Sequence, residues 1–380
     1  NLEELYALRP TSETAFYQMF SLWIRSYKDL PFKTYQRANI FRSDTKATRP
    51  FLRSREFHWI ETHCAHATKE DALKQVYEDM ETTNEVLHKY FCLPFIFFER
   101  PSWDKFPGAS RTFAADVLNP DGKLIQQPST HMISQDFSKA FNVSFKDKDE
   151  KEKLVHLTCY GPAISRIFAS VIIVHGDNKG LKFPWKIAPL QVIIVPVKNE
   201  NSLTKQAEKI EKELQEKGIS SEIDNSEKSF GEKLYYWEMK GVPLRIELGK
   251  KEISENKLTI FRRDTNEKTK IKTGDLIKYI EKTAIEIDKN LTKQADKIFD
   301  NKIINVISKK ELKKVIDEGK IARSGFCSLE SEGKDCAEYI EKEINAEVRG
   351  TKLDEKKKDM SKCIVCNQKA NEIVYIAKSY

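Results

Sequence analysis

The chain has 380 residues, a length that predicts two or three domains rather than a single core. Hydrophobic residues make up 39%, enough for a packed interior, and no apolar run approaches the roughly 20 residues of a membrane-spanning helix. The net charge is +7, and the lysines are concentrated after about Lys198. This pattern favours a polyanionic partner such as nucleic acid, although a solvated lysine-rich surface explains it equally well. We expect a soluble protein, and seven cysteines without a signal peptide argue against a disulfide framework.

The first block extends to about Lys186 and mixes strand-like and helical segments. The apolar runs 95–98 and 171–174 predict buried strands, because four consecutive large apolar residues suit a strand covered on both faces. Between Glu70 and Tyr90, apolar residues recur near helical spacing. The chain opens at Asn1 without an initiator methionine, so we expect an N-terminal portion to be missing.

The second block begins at about Ala188 and predicts a small α/β domain. A strand over 192–195 leads to an amphipathic helix that ends at Gly218. The alternation over 244–248 predicts a half-buried strand. The third block starts at about Thr292, is rich in lysine and glutamate, and ends in a cysteine cluster. Its charged stretch 352–358 predicts a solvated loop or helix face.

Familiar phosphate-binding motifs are absent: the sequence contains neither GxxxxGK[ST] nor GxGxxG. Without a glycine-rich loop, a triphosphate requires guanidinium groups, which pair bidentately with phosphate oxygens. The stretch 41–57 begins with a phenylalanine and supplies four arginines and two further phenylalanines. Arg166 adds another guanidinium much later in the chain. A surface loop with scattered salt bridges is the alternative explanation.

The order of these pieces resembles motifs 2 and 3 of class II aminoacyl-tRNA synthetases: Arg42-x-Asp44, then Arg53-x-x-x-Phe57, then Arg166 before an apolar run. Four further segments resemble the prolyl-tRNA synthetase family of the archaeal and eukaryotic type, and they are Leu8 to Glu13, Trp59-x-Glu61-x-His63, His175 to Leu181, and Trp237 to Arg245. The resemblance covers nearly the whole chain.

The resemblance implies a multidomain fold that combines α/β and α+β parts. Residues 1–187 would form the class II catalytic core around an antiparallel sheet, without the portion that carries motif 1. Residues 188–291 would form an α/β anticodon-binding domain, and 292–380 a small zinc-containing C-terminal α+β domain. The implied function is ATP-dependent activation of L-proline to prolyl-adenylate and transfer to the 3′ end of tRNA(Pro). ATP, Mg²⁺ and structural Zn²⁺ would be the cofactors of a cytoplasmic homodimer with no membrane or DNA partner.

The resemblance also assigns site residues by their position in the motifs. Arg42 and Arg166 would be catalytic, and a hydroxyl and a carboxylate are suited to accept from the secondary ammonium of proline. Proline would contact Thr11, Glu13, Arg42, Trp59, Glu61 and His63. ATP would contact Arg42, Asp44, Arg53, Phe57, Gln126, His131 and Arg166, with Arg55 as a further phosphate candidate. Anticodon bases would contact Glu238, Arg245, Lys251 and Glu252.

Three departures from the family pattern concern minor contacts. Asp44 stands where the family has glutamate, 127–130 replaces a run of small residues and threonine-serine, and the spacing over 161–166 is about one residue long. Thr11 followed by Glu13 also predicts a helix start with a threonine cap. For Arg245, a half-exposed strand with paired charges is an alternative to base contact.

Four cysteines near the end of the chain form the pattern C-x8-C-x26-C-x2-C, at Cys327, Cys336, Cys363 and Cys366. A CxxC with two more cysteines favours tetrahedral structural zinc, which binds thiolates and needs no open position. Free thiols are the alternative, and the wide first pair makes Cys327 or Cys336 the weaker ligand. The remaining cysteines, Cys64, Cys92 and Cys159, are predicted to be buried, inert thiols.

Two other functions compete with proline activation. One is a non-catalytic, synthetase-like protein that binds tRNA or regulates. The other is a class II synthetase for threonine or glycine. A threonine-specific enzyme would be expected to hold a metal in its active site, and we predict no His/Cys set that could do so here.

Overall fold

The computed structural model describes residues 4–43, 48–198, 200–355 and 360–380. Asp44, one of the predicted ATP contacts, lies outside the described residues. The chain forms two compact units: unit 1 comprises Asn1–Glu85, Pro94–Ser170 and Phe299–Tyr380, and unit 2 comprises Val86–Leu93 and Val171–Ile298. Throughout the described ranges, no helix has both the length and the apolar composition needed to cross a membrane.

The secondary structure alternates strands and helices along the whole chain. The helices are α1 (Glu13–Trp23), α2 (Lys69–Thr83), α3 (Gln135–Ala140), α4 (Ile164–His175), α5 (Asn201–Glu216), α6 (Phe230–Lys240), α7 (Lys250–Ser254), α8 (Leu276–Asp300), α9 (Lys309–Asp317) and α10 (Lys334–Tyr339). The strands are β1 (Phe32–Phe41), β2 (Glu56–His66), β3 (Ile96–Glu99), β4 (Ala109–Leu118), β5 (Lys123–Ile133), β6 (Ser144–Lys146), β7 (Glu152–Leu154), β8 (His156–Gly161), β9 (Val192–Pro196), β10 (Ser221–Ile223), β11 (Leu244–Leu248), β12 (Lys257–Arg262), β13 (Glu267–Lys272), β14 (Ile303–Asn305), β15 (Ile321–Phe326), β16 (Glu347–Lys352) and β17 (Glu372–Ser379).

Unit 1 is built on one long sheet with the strand order β1-β2-β8-β5-β4-β3-β16-β17-β15-β14. The first six strands pair antiparallel throughout, which confirms the predicted class II type of core. Strands β16 and β17 continue this sheet, so the C-terminal residues lie in the same compact unit as the core. The small pair β6–β7 stands apart.

Helix α2 covers one face of this sheet because its apolar residues recur every four positions. Ala72, Val76 and Met80 are buried and pack against Phe113 of β4 and Met132 of β5. The Thr68 hydroxyl accepts from the backbone N–H of Asp71 and caps the first turn. The predicted helical periodicity is confirmed, and it continues through a π-helical segment over Asn84–Tyr90.

The strand predicted over 171–174 is wrong, because these residues form the second half of α4. A short apolar run does not distinguish a strand from a buried helix by periodicity. Here the apolar character extends back through Ile167 to Ile164, and the resulting length suits a helix. The other predicted strand is confirmed as β3.

Unit 2 contains the five-stranded sheet β10-β9-β11-β12-β13. Strands β10, β9 and β11 are parallel, and β12 and β13 continue antiparallel. The predicted strand 192–195 and the helix that follows it are confirmed as β9 and α5, and Gly218 adopts a φ of +72° after the helix. The mixed sheet with crossover helices confirms the predicted small α/β fold.

Strand β11 is more deeply buried than its alternating sequence predicts. All five residues are buried, including Arg245 at 2% exposure and Glu247 at 7%. The strand lies between β9 and β12, and helices cover its faces: Leu244, Ile246 and Leu248 pack in one cluster with α5 and α8, and Arg245 contacts Glu238 of α6. Its charged side chains satisfy one another, since Arg245 donates to Glu247 over 2.9 Å.

Candidate active site

A cavity of about 300 Å³ opens over the antiparallel sheet of unit 1. Its walls come from the start of α1, from strands β2, β4, β5 and β8, and from the start of α4. Among the predicted substrate residues, the lining includes Glu13, Arg42, Phe57, Trp59, Glu61, Gln126, His131 and Arg166. Residues from widely separated positions in the sequence therefore converge on one site.

Helix α1 begins at Glu13, as predicted, but its cap differs from the prediction. Ser12 occupies the N-cap position and makes no side-chain capping bond. Thr11 instead donates its hydroxyl to the Glu13 carboxylate. Glu13 is 3% exposed and also accepts from the Cys159 thiol over 3.4 Å. The helix start thus holds a carboxylate inside the cavity wall.

Strand β2 aligns Phe57, Trp59, Glu61 and His63 because alternate residues of a strand share a face. Glu61 is fully buried and accepts from the Gln36 amide over 2.6 Å. His63 is also fully buried, its ring is stacked on Phe16 at 4.5 Å, and neither ring nitrogen has a hydrogen-bond partner among the described residues. The indole nitrogen of Trp59 likewise lacks one.

Arg42 lies just beyond β1, beside the aromatic residues of β2. Its Cζ is 5.3 Å from the ring centre of Phe57 and 5.6 Å from that of Trp59. Its Nε donates to the carbonyl of Pro10 over 3.3 Å. The aromatic faces and this hydrogen bond hold a guanidinium at the cavity wall.

Arg166, in the first turn of α4, is held by two carbonyl oxygens. Its Nε donates to Leu52 over 3.1 Å and its Nη1 donates to Gln126 over 2.9 Å. Burial and repulsion from Arg42 and Arg53 lower the pKa of Arg166 to about 10. The group remains charged at neutral pH, so at least three guanidinium groups act on the same region.

The loop before β2 presents the remaining predicted phosphate contacts. Arg49 and Arg53 exchange two backbone hydrogen bonds of 2.8 and 2.9 Å. Arg53 and Arg55 are exposed and stand outside the cavity lining. The charge of Arg53 nevertheless reaches Arg166, as the lowered pKa shows.

Strand β5 places Gln126 and His131 in the cavity wall. The imidazole of His131 forms 3.0 Å hydrogen bonds with the hydroxyls of Thr112 and Ser129. Burial, reinforced by the charge of Arg100, lowers the pKa of His131 to about 3. This histidine is therefore neutral at physiological pH.

A buried network of ion pairs is hydrogen-bonded to the Gln126 side chain. Arg100 donates to the Gln126 Oε1 over 3.3 Å and to Asp116 over 2.7 Å. Asp116 also accepts from Arg349 of β16 over 2.8 Å. Burial alone would raise the pKa of Asp116, but the two guanidinium groups hold it below its usual value. The network links the C-terminal part of the sheet to the cavity wall.

Several cavity residues were missed by sequence reasoning. Phe106 packs 4.9 Å from the His131 ring, and Lys105 and Cys159 also line the cavity. Arg100 and Asp116 act behind it. None belongs to the motifs that carry the resemblance, and a single buried cysteine, arginine or aspartate in or beside a strand has no distinctive pattern.

The predicted anticodon residues lie in unit 2 and are largely paired with other protein groups. Arg245 is near the Phe261 ring at 4.2 Å and donates to Glu238 over 3.3 Å. Glu252 accepts from Thr259 over 3.1 Å. Lys251 is more accessible, with a side chain that is 73% exposed and forms a 3.9 Å ion pair with Glu255. The charges of the strand are paired, as the alternative interpretation predicted.

The four C-terminal cysteines converge. Their Sγ atoms all lie within 4.8 Å of one another, with Cys327 3.7 Å from Cys336 and Cys336 4.0 Å from Cys363. Cys366 is exposed and the other three are buried. All seven cysteines are free thiols. Four sulfur atoms at these distances fit the donor set of a tetrahedral zinc.

Comparisons with known proteins agree with this fold and site. Family models match as "tRNA synthetase class II core domain (G, H, P, S and T)" over residues 1–175, "Anticodon binding domain" over 191–283 and "Prolyl-tRNA synthetase, C-terminal" over 309–380. The antiparallel sheet and its arginine-lined cavity are therefore those of a class II aminoacyl-tRNA synthetase.

Individual relatives narrow the class. The proline–tRNA ligase of Thermofilum pendens is 44% identical, with all of this chain and 79% of that protein aligned. That of Methanopyrus kandleri is 40% identical over 100% of this chain and 78% of its own length. The chain belongs to the prolyl-tRNA synthetase family.

Solved structures of prolyl-tRNA synthetases have the same fold as this chain. The Giardia lamblia prolyl-tRNA synthetase in complex with prolyl-adenylate has a TM-score of 0.95 at 35% identity, covering 100% of this chain and 80% of that chain. The Cryptosporidium parvum enzyme complexed with L-proline and AMP has a TM-score of 0.95 at 32% identity, covering 100% and 79%.

Proposed function

We propose that this chain uses ATP to convert L-proline to prolyl-adenylate and then transfers the prolyl group to the 3′ end of tRNA(Pro). The observation that carries the proposal is the convergence of Glu13, Arg42 and Arg166 on one cavity. Membership of the prolyl-tRNA synthetase family supports it, and the comparisons give no support to a non-catalytic synthetase-like protein.

The proline subsite is the part of the cavity around Glu13. Thr11 and Glu13 accept from the secondary ammonium, and the buried carboxylate supplies the stronger, charge-assisted bond. Trp59 and Glu61 bound the ring from β2, and His63 shapes this pocket from a fully buried position outside the cavity lining. Arg42 pairs with the substrate carboxylate, for which a guanidinium beside two aromatic rings is well suited.

The ATP subsite lies between Phe57 and Arg166. The adenine stacks between the phenyl ring and the guanidinium, a cation–π arrangement. Gln126 and the neutral His131 border the nucleotide, and Arg53 and Arg55 reach the phosphates from the neighbouring loop. Mg²⁺ would enter with ATP and neutralise part of the phosphate charge, and Asp44 is retained as an ATP contact from the motif alone.

Activation needs no nucleophilic side chain. A proline carboxylate oxygen attacks the α-phosphorus, a bond forms between them, and pyrophosphate leaves with the bond electrons. Arg42 and Arg166 orient the reactants and stabilise the charge that develops on the α-phosphate. The terminal ribose hydroxyl of tRNA then attacks the prolyl carbonyl, and AMP leaves.

The three predicted segments, 1–187, 188–291 and 292–380, are proposed as catalytic, anticodon-binding and zinc-binding parts. In the second, Glu238, Arg245, Lys251 and Glu252 contact a guanine-rich anticodon, with Lys251 the most accessible. In the third, Cys327, Cys336, Cys363 and Cys366 hold a zinc that fixes the fold. A cytoplasmic homodimer completes the proposal on the resemblance alone.

Proline-dependent exchange of pyrophosphate into ATP tests the reaction and its specificity. Proline should support exchange, and threonine or glycine should support at least about a hundredfold less at equal concentration, because glycine lacks the ring methylenes that fill the subsite and threonine would place a hydroxyl against its apolar wall. Equal rates with proline and threonine would overturn the specificity.

The Arg42→Ala variant separates an enzyme from a tRNA-binding protein. Loss of the guanidinium should lower exchange by about 10² or more, because an interaction with the reacting groups is removed. Arg37→Ala, in the exposed part of β1, is the matched control. Exchange that survives in R42A at the control's level would contradict the catalytic role.

A further inference from the structure

Three buried side chains of different chemistry meet at the cavity wall, where Glu13 and Cys159 belong to the lining and His63 lies outside it. His63 of β2 and Cys159 of β8 are directly opposite each other in the sheet, and Glu13 at the start of α1 covers them. Their exposures are 0%, 6% and 3%. One ligand atom from each lies within 4.8 Å of both others. The sequence predicted no such set in the active site, and that prediction is wrong.

The three groups have bonding capacity that an ammonium does not use. A secondary ammonium has two N–H donors, and Thr11 and Glu13 accept both of them in the proposed complex, which leaves the imidazole of His63 and the thiol of Cys159 without a role in binding it. Both ring nitrogens of His63 are buried without a hydrogen-bond partner among the described residues, although one of them carries a free lone pair. Leaving such a group unpaired costs about 1–3 kcal/mol.

The surrounding charges favour a cation. Glu61 is fully buried, with its Oε1 3.5 Å from Nε2 of His63. Within the described part of the chain, no lysine or arginine forms an ion pair with Glu13 or Glu61. Tyr17, whose ring is 5.7 Å from that of His63, has a buried hydroxyl without a hydrogen-bond partner. Glu13 and Glu61 therefore place two buried carboxylates next to His63.

The donor set matches a borderline divalent metal. Zn²⁺ binds carboxylate oxygen, imidazole nitrogen and thiolate sulfur at about 2.0–2.3 Å, which places tetrahedral ligand atoms about 3.3–3.8 Å apart. The 3.4 Å between the Cys159 sulfur and the Glu13 oxygen already falls in that range. The imidazole nitrogen of His63 lies within 4.8 Å of both atoms, and a side-chain rotation would have to bring it closer to complete the set. Three protein ligands would leave the fourth tetrahedral position for water.

We propose that Glu13, His63 and Cys159 form an inhibitory Zn²⁺ site that excludes proline from the cavity. The metal displaces the thiol proton to solvent, and the thiolate and the Glu13 carboxylate balance its two charges. Because the metal and the prolyl ammonium both require Glu13, only one binds at a time. The competition with proline rests on the proposed function, whereas binding of the metal does not.

Binding is tested without ATP or substrate. Protein dialysed to its tightly bound zinc content is titrated with Co²⁺, and the thiolate-to-cobalt absorption band is followed. The parent should gain one further equivalent that proline displaces. Cys159→Ser should lose that equivalent, and Cys92→Ser, which alters a buried cysteine of unit 2, should keep it. Identical titrations of the parent and C159S would overturn the site.

Competition is tested by pyrophosphate exchange at saturating magnesium and ATP. Zn²⁺ at micromolar concentration should raise the apparent KM for proline at least about tenfold and leave kcat and the KM for ATP unchanged. In C159S, the ratio of the apparent KM for proline with zinc to that without zinc should be at least about tenfold smaller than in the parent. An equal ratio in both proteins, or a fall in kcat instead, would overturn the competition. If the parent showed no exchange even without added zinc, the proposed function itself would be refuted.

Discussion

At the scale of single residues, burial decides which groups of the cavity are charged at neutral pH. His131 has a pKa of about 3 and is neutral, while Arg166 keeps its charge despite a pKa lowered to about 10. The guanidinium groups therefore provide the positive charge that a polyphosphate requires, and the imidazole provides shape and hydrogen bonds. Titration of either group lies far from neutral pH.

Asp79 of α2 provides a residue-scale prediction. Burial raises its pKa from 3.8 to about 6, although Thr130 and Gln75 donate to it over 2.7 and 2.9 Å. The folded state holds the proton more tightly than the unfolded state, so this group stabilises the fold at low pH. That stability is lost as the pH rises from about 4 to about 6, by up to about 3 kcal/mol.

Asp79→Asn should remove this dependence, because the amide stays neutral. The Gln75 Oε1 has no hydrogen-bond partner among the described residues, so a flipped Gln75 amide can accept from the amide introduced by the substitution. Urea unfolding should show the variant gaining stability relative to the parent between pH 4 and 7. A difference between the two proteins that does not change with pH would contradict the raised pKa.

At the scale of elements, β16 is joined to the core by a buried ion pair as well as by strand pairing. Asp116 of β4 is fully buried between Arg100 and Arg349, and Arg100 also donates to the Arg349 carbonyl over 2.8 Å. A buried carboxylate with two guanidinium partners is costly to disrupt, since its removal leaves buried Arg100 and Arg349 with their more exposed partners, Asp104 and Glu347.

Asp116→Asn should lower the free energy of unfolding by about 3–5 kcal/mol. It should also raise the KM for ATP more than the KM for proline, because Arg100 then holds Gln126 less firmly. Glu99→Gln is the control, since the Glu99–Arg111 pair of the same sheet is about one-third exposed and worth under about 1 kcal/mol. Equal losses in the two variants would contradict the network's role.

The cysteine cluster gives a second prediction at this scale. Metal analysis of the parent should find about one tightly bound zinc per chain, and less than a few tenths would refute structural zinc. Cys363→Ser should lose that zinc and lower the unfolding temperature, because Cys363 is only 1% exposed and packs in the C-terminal core. Cys64→Ser, a buried cysteine outside the cluster, should retain the metal.

At the scale of the whole molecule, the net charge of +7 bears on tRNA rather than on the small substrates. Raising the salt from about 50 to about 200 mM should raise the KM for tRNA roughly tenfold or more, because counterion release weakens. The KM for proline in pyrophosphate exchange should change less than about twofold, because few exposed charges contact it. Parallel changes in both constants would indicate a general effect of salt on the enzyme.

Local patterns in the chain were enough to establish the family, because the motif residues carry chemistry that few other positions can replace. They placed Glu13, Arg42, Phe57 and Arg166, all of which line one cavity, and they identified the four C-terminal cysteines. They also predicted α2, β3, β9 and α5, whose periodicity and turn residues are local signals. These features are encoded by spacing along the chain.

Other features depend on distant contacts and emerge only in the folded chain. The run 171–174 is helical because the apolar stretch is longer than its most hydrophobic part, and β11 is buried because helices α5, α8 and α6 pack on its faces. Arg100, Asp116 and Arg349 form a network only when β4 and β16 join one sheet. Glu13, His63 and Cys159 meet only where β2, β8 and α1 converge. Such proximity is a property of strand register and packing, which no local pattern contains.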